Sequence, residues 1–113
     1  MSRDVRLYLL DILEAIEKIQ QYTANLTFED FAANSMVIDA VVRNFEIIGE
    51  AASHIPDDIQ STYSEVPWFE MKGMRNIMIH EYFRVDIKIV WITARESLPK
   101  LVSLIKRVIA ERQ

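Results

Sequence analysis

Apolar residues recur at three- and four-residue steps along most of this chain, with polar residues on the opposite side of each stripe. In the first segment Leu9, Ile12, Leu13, Ile16 and Ile19 form such a stripe, and Asp11, Glu14, Glu17 and Lys18 face away. The pattern predicts a helix from Arg3 to about Thr23, a rod roughly 30 Å long at 1.5 Å per residue. Thr27-Phe-Glu-Asp30 reads as a capping box, and Asn34-Ser35 as a second cap soon afterwards. A short helix and then a long one from Ser35 to about Ser53 follow from these signals. Pro56-Asp57-Asp58 opens another short helical piece ending near Tyr63, and Pro67 starts a helix from Trp68 to about Tyr82.

Asp86 is placed to cap the last segment, where Ile87, Val90, Trp91, Ala94 and Leu98 share one stripe. Pro99 must kink or interrupt that helix, since it lacks a backbone donor and crowds the preceding turn. Leu101, Leu104, Ile105 and Val108 then carry the stripe onward. The β-branched runs Asn76–Ile79 and Ile87–Ile92 have strand character, but they lie inside capped segments without hairpin signals and read as helix. The expected fold is all-α: one domain over residues 1–113, an antiparallel up-and-down bundle of four to five helices.

Composition narrows the chemistry. The 113 residues are half apolar and 27% charged, enough for one compact core. With no cysteine, disulfides, thiolate zinc sites and cysteine nucleophiles are excluded. The longest apolar run is far short of a membrane span and Met-Ser-Arg-Asp-Val-Arg is no signal peptide, so a cytoplasmic location away from membranes is expected. The formal charge is -4 and the pI about 5.1, so any action on nucleic acid must rest on a local basic site.

The candidate for such a site is the stretch from Gly73 to Tyr82. On a helix Asn76 and His80 share one face, while Arg75 and Tyr82 share a second stripe. Arg75 and His80 are about 140° apart around the axis, placed to flank a cleft from either side. Met71, Met74, Ile77 and Met78 point elsewhere and anchor the helix. Gly73, mid-helix, suggests close approach by another backbone or a ligand. An imidazole moves protons near neutral pH, and a guanidinium offers a fork of donors matched to phosphate oxygens. Together they meet the needs of RNA cleavage without a metal or cofactor, the 2′-hydroxyl being the RNA's own nucleophile. By spacing alone, a histidine separated from an arginine by four residues is more often a surface or core residue than a catalyst.

A second polar stripe runs through Asp39, Arg43, Glu46, Glu50 and His54. It reads either as a solvated face laced with ion pairs or as a buried polar seam facing the Arg75–His80 helix. A metal site at Glu46, Glu50 and His54 fits the spacing, but such spacings are common among helices. Tyr22 and Tyr63 read as boundary aromatics, Tyr8 as core or interface, and Trp68 and Trp91 as bundle residues. Lys100, Lys106, Arg107 and Arg112 read as a solvated face diluted by Glu96 and Glu111.

The segment GMRNIMIHEYF, with Pro67-Trp68 before it and Val85-Asp86 after it, resembles the HepT-like branch of the HEPN superfamily. The blocks from Arg3 to Ala15 and from Arg43 to Ala51 add to the resemblance in the same order. It implies a small all-helical homodimer that brings two active-site helices together in a cleft. The family signature of arginine, four residues, histidine, one residue and tyrosine falls on Arg75, His80 and Tyr82, with Asn76 as the polar residue after the arginine. Members are typically metal-independent ribonucleases acting as toxins, encoded beside a minimal nucleotidyltransferase antitoxin of the MNT type. In such pairs the partner transfers AMP to the motif tyrosine and silences the toxin. Arg84 stands where many relatives carry glycine, a departure that bears on the local turn. Two rival readings are a non-catalytic helical module that binds the nucleotidyltransferase and a purely structural dimerisation domain.

Overall fold

Asp4 starts the first helix by accepting a hydrogen bond from the Arg6 N–H at 2.9 Å. This replaces one of the partners that a helix N-terminus lacks. In the computed structural model the backbone is described for residues 3–80 and 86–112, and side chains for the same residues apart from 76–80. Helix α1 spans Val5–Thr23 and buries Leu9, Ile12, Ile16 and Ile19 of the predicted stripe together with Ala15, while Leu13 is partly buried. The capping box forms at Thr27: its hydroxyl accepts from the Asp30 N–H, and the Asp30 carboxylate accepts from the Thr27 N–H. It opens the short α2, Phe28–Ala32. Asn34 caps α3, Ser35–Ser53, through the Val37 N–H at 3.1 Å.

After α3 come α4, Asp57–Thr62, and α5, Trp68–His80. Asp86 caps α6, Ile87–Ile92, with its carboxylate accepting from the Lys88 and Ile89 N–H groups. That cap selects helix over strand for the β-branched run that follows. A single π-helical turn, Thr93–Ser97, joins α6 to α7, Leu98–Glu111. The interruption expected at Pro99 takes this form. A proline there cannot bond the Arg95 carbonyl, and the wider turn relieves the crowding without breaking the rod.

Four long rods result, counting α6 with α7 as one, and the two short helices bridge between them. Helix α3 lies between α1 and α5 and packs along both. Phe31, Phe45, Ile48, Met71, Leu98 and Ile105 are fully buried among these rods. Each buried large apolar side chain contributes about 1.5–3 kcal/mol relative to exposure. The described residues form an all-helical bundle with no strand, and no described helix is long and apolar enough to cross a membrane.

Aromatic residues close the ends of the bundle. Trp68 is buried and its indole N–H donates to the Tyr63 carbonyl at 3.0 Å. Tyr63 is itself buried, not a boundary residue, because its phenol turns toward the end of α7 and hydrogen-bonds Glu111. Trp91 packs against Phe31 with ring centroids 5.3 Å apart. Tyr22 stays partly exposed, as its boundary position predicts. Arg107 lies on the solvated face of α7, held by Glu65 and Glu111 at 2.8 Å each.

Candidate active site

Helix α5 meets α3 at a glycine. A Cβ on Gly49 would lie 2.5 Å from both the Cβ and the amide nitrogen of Arg75, and 2.9 Å from its Cα. Only a residue without a side chain lets the α5 backbone come this close, so Gly49 sets where Arg75 sits. From there the Arg75 guanidinium reaches the next residue of α3: its Nη1 donates to Glu50 Oε2 at 2.5 Å. The other oxygen of Glu50 meets His54 Nε2 at 3.3 Å, one turn further along. One carboxylate thus joins the arginine to a histidine.

The histidine is braced from α1. Its ring lies on Tyr8 with centroids 4.7 Å apart and planes 9° from parallel. The Arg3 guanidinium stands over the same tyrosine at 4.8 Å and also pairs with Asp11. The chain of contacts from Arg3 through Tyr8, His54 and Glu50 to Arg75 therefore crosses three helices. Side-chain exposure is 40% for Arg75 and 54% for Glu50, so water screens their attraction. An exposed pair of this kind is worth about 0–1 kcal/mol. It aims the guanidinium more than it stabilises the fold. A guanidinium has five N–H donors, and Glu50 engages Nη1, which leaves a fork for a phosphate.

The polar stripe of α3 divides in two. Arg43 pairs with Glu46 at 3.3 Å near the middle of the helix, while Glu50 and His54 join the Arg75 end. The stripe is not a buried seam: Arg43 is 69% exposed and Glu50 54%, because α5 covers only the Gly49 side of α3. It does face α5, through the Glu50–Arg75 pair. Among the described residues no group of three His, Cys, Asp or Glu is arranged to hold a metal ion, so Glu46, Glu50 and His54 do not make such a site.

Of the close approach expected at Gly73, the alternative of another backbone is corrected: a Cβ there meets nothing within 4 Å among the described residues. The tight contact belongs to Gly49, the other glycine of the chain, which lies inside α3. Met71 is fully buried and Met74 packs on the core, as their spacing predicts. The side chains of Asn76, Ile77, Met78 and His80, and residues Tyr82 and Arg84 entirely, lie outside the described residues. The contribution of Arg3, Tyr8 and His54 was not read from the sequence, because α1 and the end of α3 meet only in the folded chain.

The profile of the ribonuclease HepT-like family matches residues 12–108, nearly the whole chain. The chain belongs to the HepT-like ribonuclease family. Among its relatives, a protein of Thermococcus cleftensis named "Probable ribonuclease HepT" is 46% identical over 101 residues, covering 89% of this chain and 92% of the relative. A "Putative RNase" of Methanocaldococcus jannaschii is 41% identical over 100 residues, covering 88% of this chain and 92% of the relative. A second protein of that organism, named "Gamma-glutamylcyclotransferase and putative RNase", is 40% identical over 111 residues. This chain spans 50% of that longer protein. No solved structure shows a significant match. The HepT-like assignment agrees with the all-helical bundle and with the order of the sequence blocks that resemble the family.

Proposed function

We propose that this HepT-like chain is a metal-independent endoribonuclease in which Arg75 and His80 act on one phosphodiester of tRNA or mRNA. The observation that carries the reading is the placement of Arg75: seated against Gly49 and aimed by Glu50, on the helix that also carries His80. Family membership supports it independently. His80 accepts the proton of a ribose 2′-hydroxyl, or as imidazolium delivers one to the departing 5′-oxygen. The 2′-oxygen bonds to phosphorus as the bond to the 5′-oxygen breaks, leaving a 2′,3′-cyclic phosphate and a free 5′-hydroxyl. Arg75 neutralises the charge that develops on the phosphate. Asn76 orients the imidazole or the phosphate.

In this reading two chains pair as a homodimer, and the second subunit doubles the arginine charge in the cleft. That local field supplies the attraction for RNA that a chain of charge -4 lacks overall. The protein serves as the toxin of a pair whose antitoxin is an MNT-type minimal nucleotidyltransferase. AMP transferred to Tyr82 places an anionic phosphate beside Arg75 and closes the site to RNA.

The test is incubation of wild type and Arg75→Ala with tRNA in excess EDTA. Cleavage by wild type and a loss of about 10²–10³-fold in the variant is the expected result. Equal cleavage by both overturns the role of Arg75. Cleavage by neither favours the rival reading of a non-catalytic module that binds the nucleotidyltransferase.

A further inference from the structure

The stack of Tyr8 on His54 lies outside the cleavage chemistry proposed for Arg75 and His80. The rings are 9° from parallel, and His54 is fixed in the plane by its bond to Glu50. The Arg3 guanidinium at 4.8 Å and the imidazole at 4.7 Å both pack on the Tyr8 ring. With one ring face on Tyr8 and Nε2 on Glu50, His54 is still 47% exposed. The contacts thus join a cation, a phenol and an imidazole whose surface is about half accessible.

This surface stands one carboxylate away from Arg75, because Glu50 touches both groups. That separation is within the reach of a single nucleotide from its phosphate to its base. Flat aromatic side chains beside a cationic phosphate contact are the arrangement with which proteins hold single-stranded RNA. We propose that His54, backed by Tyr8 and Arg3, is a base-stacking subsite for the RNA nucleotide whose phosphate Arg75 holds. The inference rests on the reading of Arg75 as a phosphate clamp, and it assigns substrate positioning to residues of α1 and the end of α3. Stacking uses the π-face that every base has, so the subsite selects an unpaired nucleotide more than a particular base.

The chain has only two histidines, so the ring protons of His54 are readily assigned with a His54→Asn variant. The probe is the deoxydinucleotide of two adenosines, which lacks the attacking 2′-hydroxyl and is not cut. Upfield ring-current shifts of the His54 protons on titration are the expected result, and no shift at saturating probe overturns the subsite. In cleavage assays His54→Ala is expected to raise KM by about 5- to 100-fold with kcat within about threefold. His54→Phe keeps the aromatic face and is expected to restore KM. Equal losses of kcat in both variants mean that His54 acts only by steadying Glu50, which also overturns the proposal. A wild type that cuts no RNA removes the nuclease reading, while the dinucleotide titration still decides the subsite. An unchanged KM in His54→Ala beside an inactive Arg75→Ala removes the subsite alone.

Discussion

The two glycines of this chain are expected to respond to the same substitution with opposite signs. Both lie inside α-helices, where alanine is favoured over glycine by about 0.8–1 kcal/mol. At Gly73 a methyl group enters open space among the described residues, so Gly73→Ala is expected to stabilise by up to about 1 kcal/mol. At Gly49 the methyl would stand 2.5 Å from the Arg75 amide nitrogen and Cβ, against an ordinary carbon contact of about 3.5–4.0 Å. The atoms it meets are backbone and Cβ, which no rotamer change can move. Helix α5 must therefore shift away by about 1 Å, and overpacking of this kind costs about 1–3 kcal/mol. After the gain in helix propensity, Gly49→Ala is expected to destabilise by up to about 2 kcal/mol. Urea denaturation measures both, each kcal/mol moving the midpoint by roughly 0.3–1 M. The same 1 Å shift displaces Arg75 and is expected to lower RNA cleavage by about 100-fold. A Gly49→Ala variant as stable and as active as Gly73→Ala would refute the close-contact account.

Phe45 is fully buried on α3, and Phe45→Ala is expected to cost about 3–5 kcal/mol; a loss under about 2 kcal/mol in urea denaturation contradicts its place in the core. Thr27→Ala removes the hydroxyl half of the capping box and is expected to cost about 1 kcal/mol, read as a fall in melting temperature of about 4–8 °C. The hydrogen bond from Arg107 holds the Glu111 carboxyl below its ordinary value of 4.5. Because the folded-state value is the lower one, this contribution is complete above pH 4.5 and is lost as pH falls through the folded value. The stability difference between wild type and Glu111→Gln is therefore expected to shrink on acidification, and a difference that grows contradicts the pairing.

Helix boundaries were legible because they are written locally. Thr27, Asn34 and Asp86 each bond to a backbone N–H two or three residues on, so a short window of sequence contains the whole interaction. Stripe spacing likewise located the buried faces of α1 and α7. The π-helical turn before Pro99 was foreseen only as a disturbance, since a kink, a break and a wider turn all answer the same missing donor. At the site, the motif pointed to Arg75 but not to what aims it. Glu50 lies 25 positions away and meets Arg75 only through the α3–α5 contact. Gly73 and Gly49 are indistinguishable by local context, and only the packing of α5 separates an open position from a closed one. Exposure of the polar stripe depends on how far α5 covers α3, which periodicity does not specify.

Whether Arg75 and His80 serve one phosphodiester is measured most directly by a double-mutant comparison of cleavage rates. Wild type, Arg75→Ala, His80→Ala and the double variant are compared on a single RNA in EDTA under single-turnover conditions. Groups that act as a unit are not additive: each single variant is predicted to lose at least about 100-fold, and the double variant less than about tenfold more. Full wild-type rates in His80→Ala, or losses that simply multiply in the double variant, would contradict a shared reaction centre.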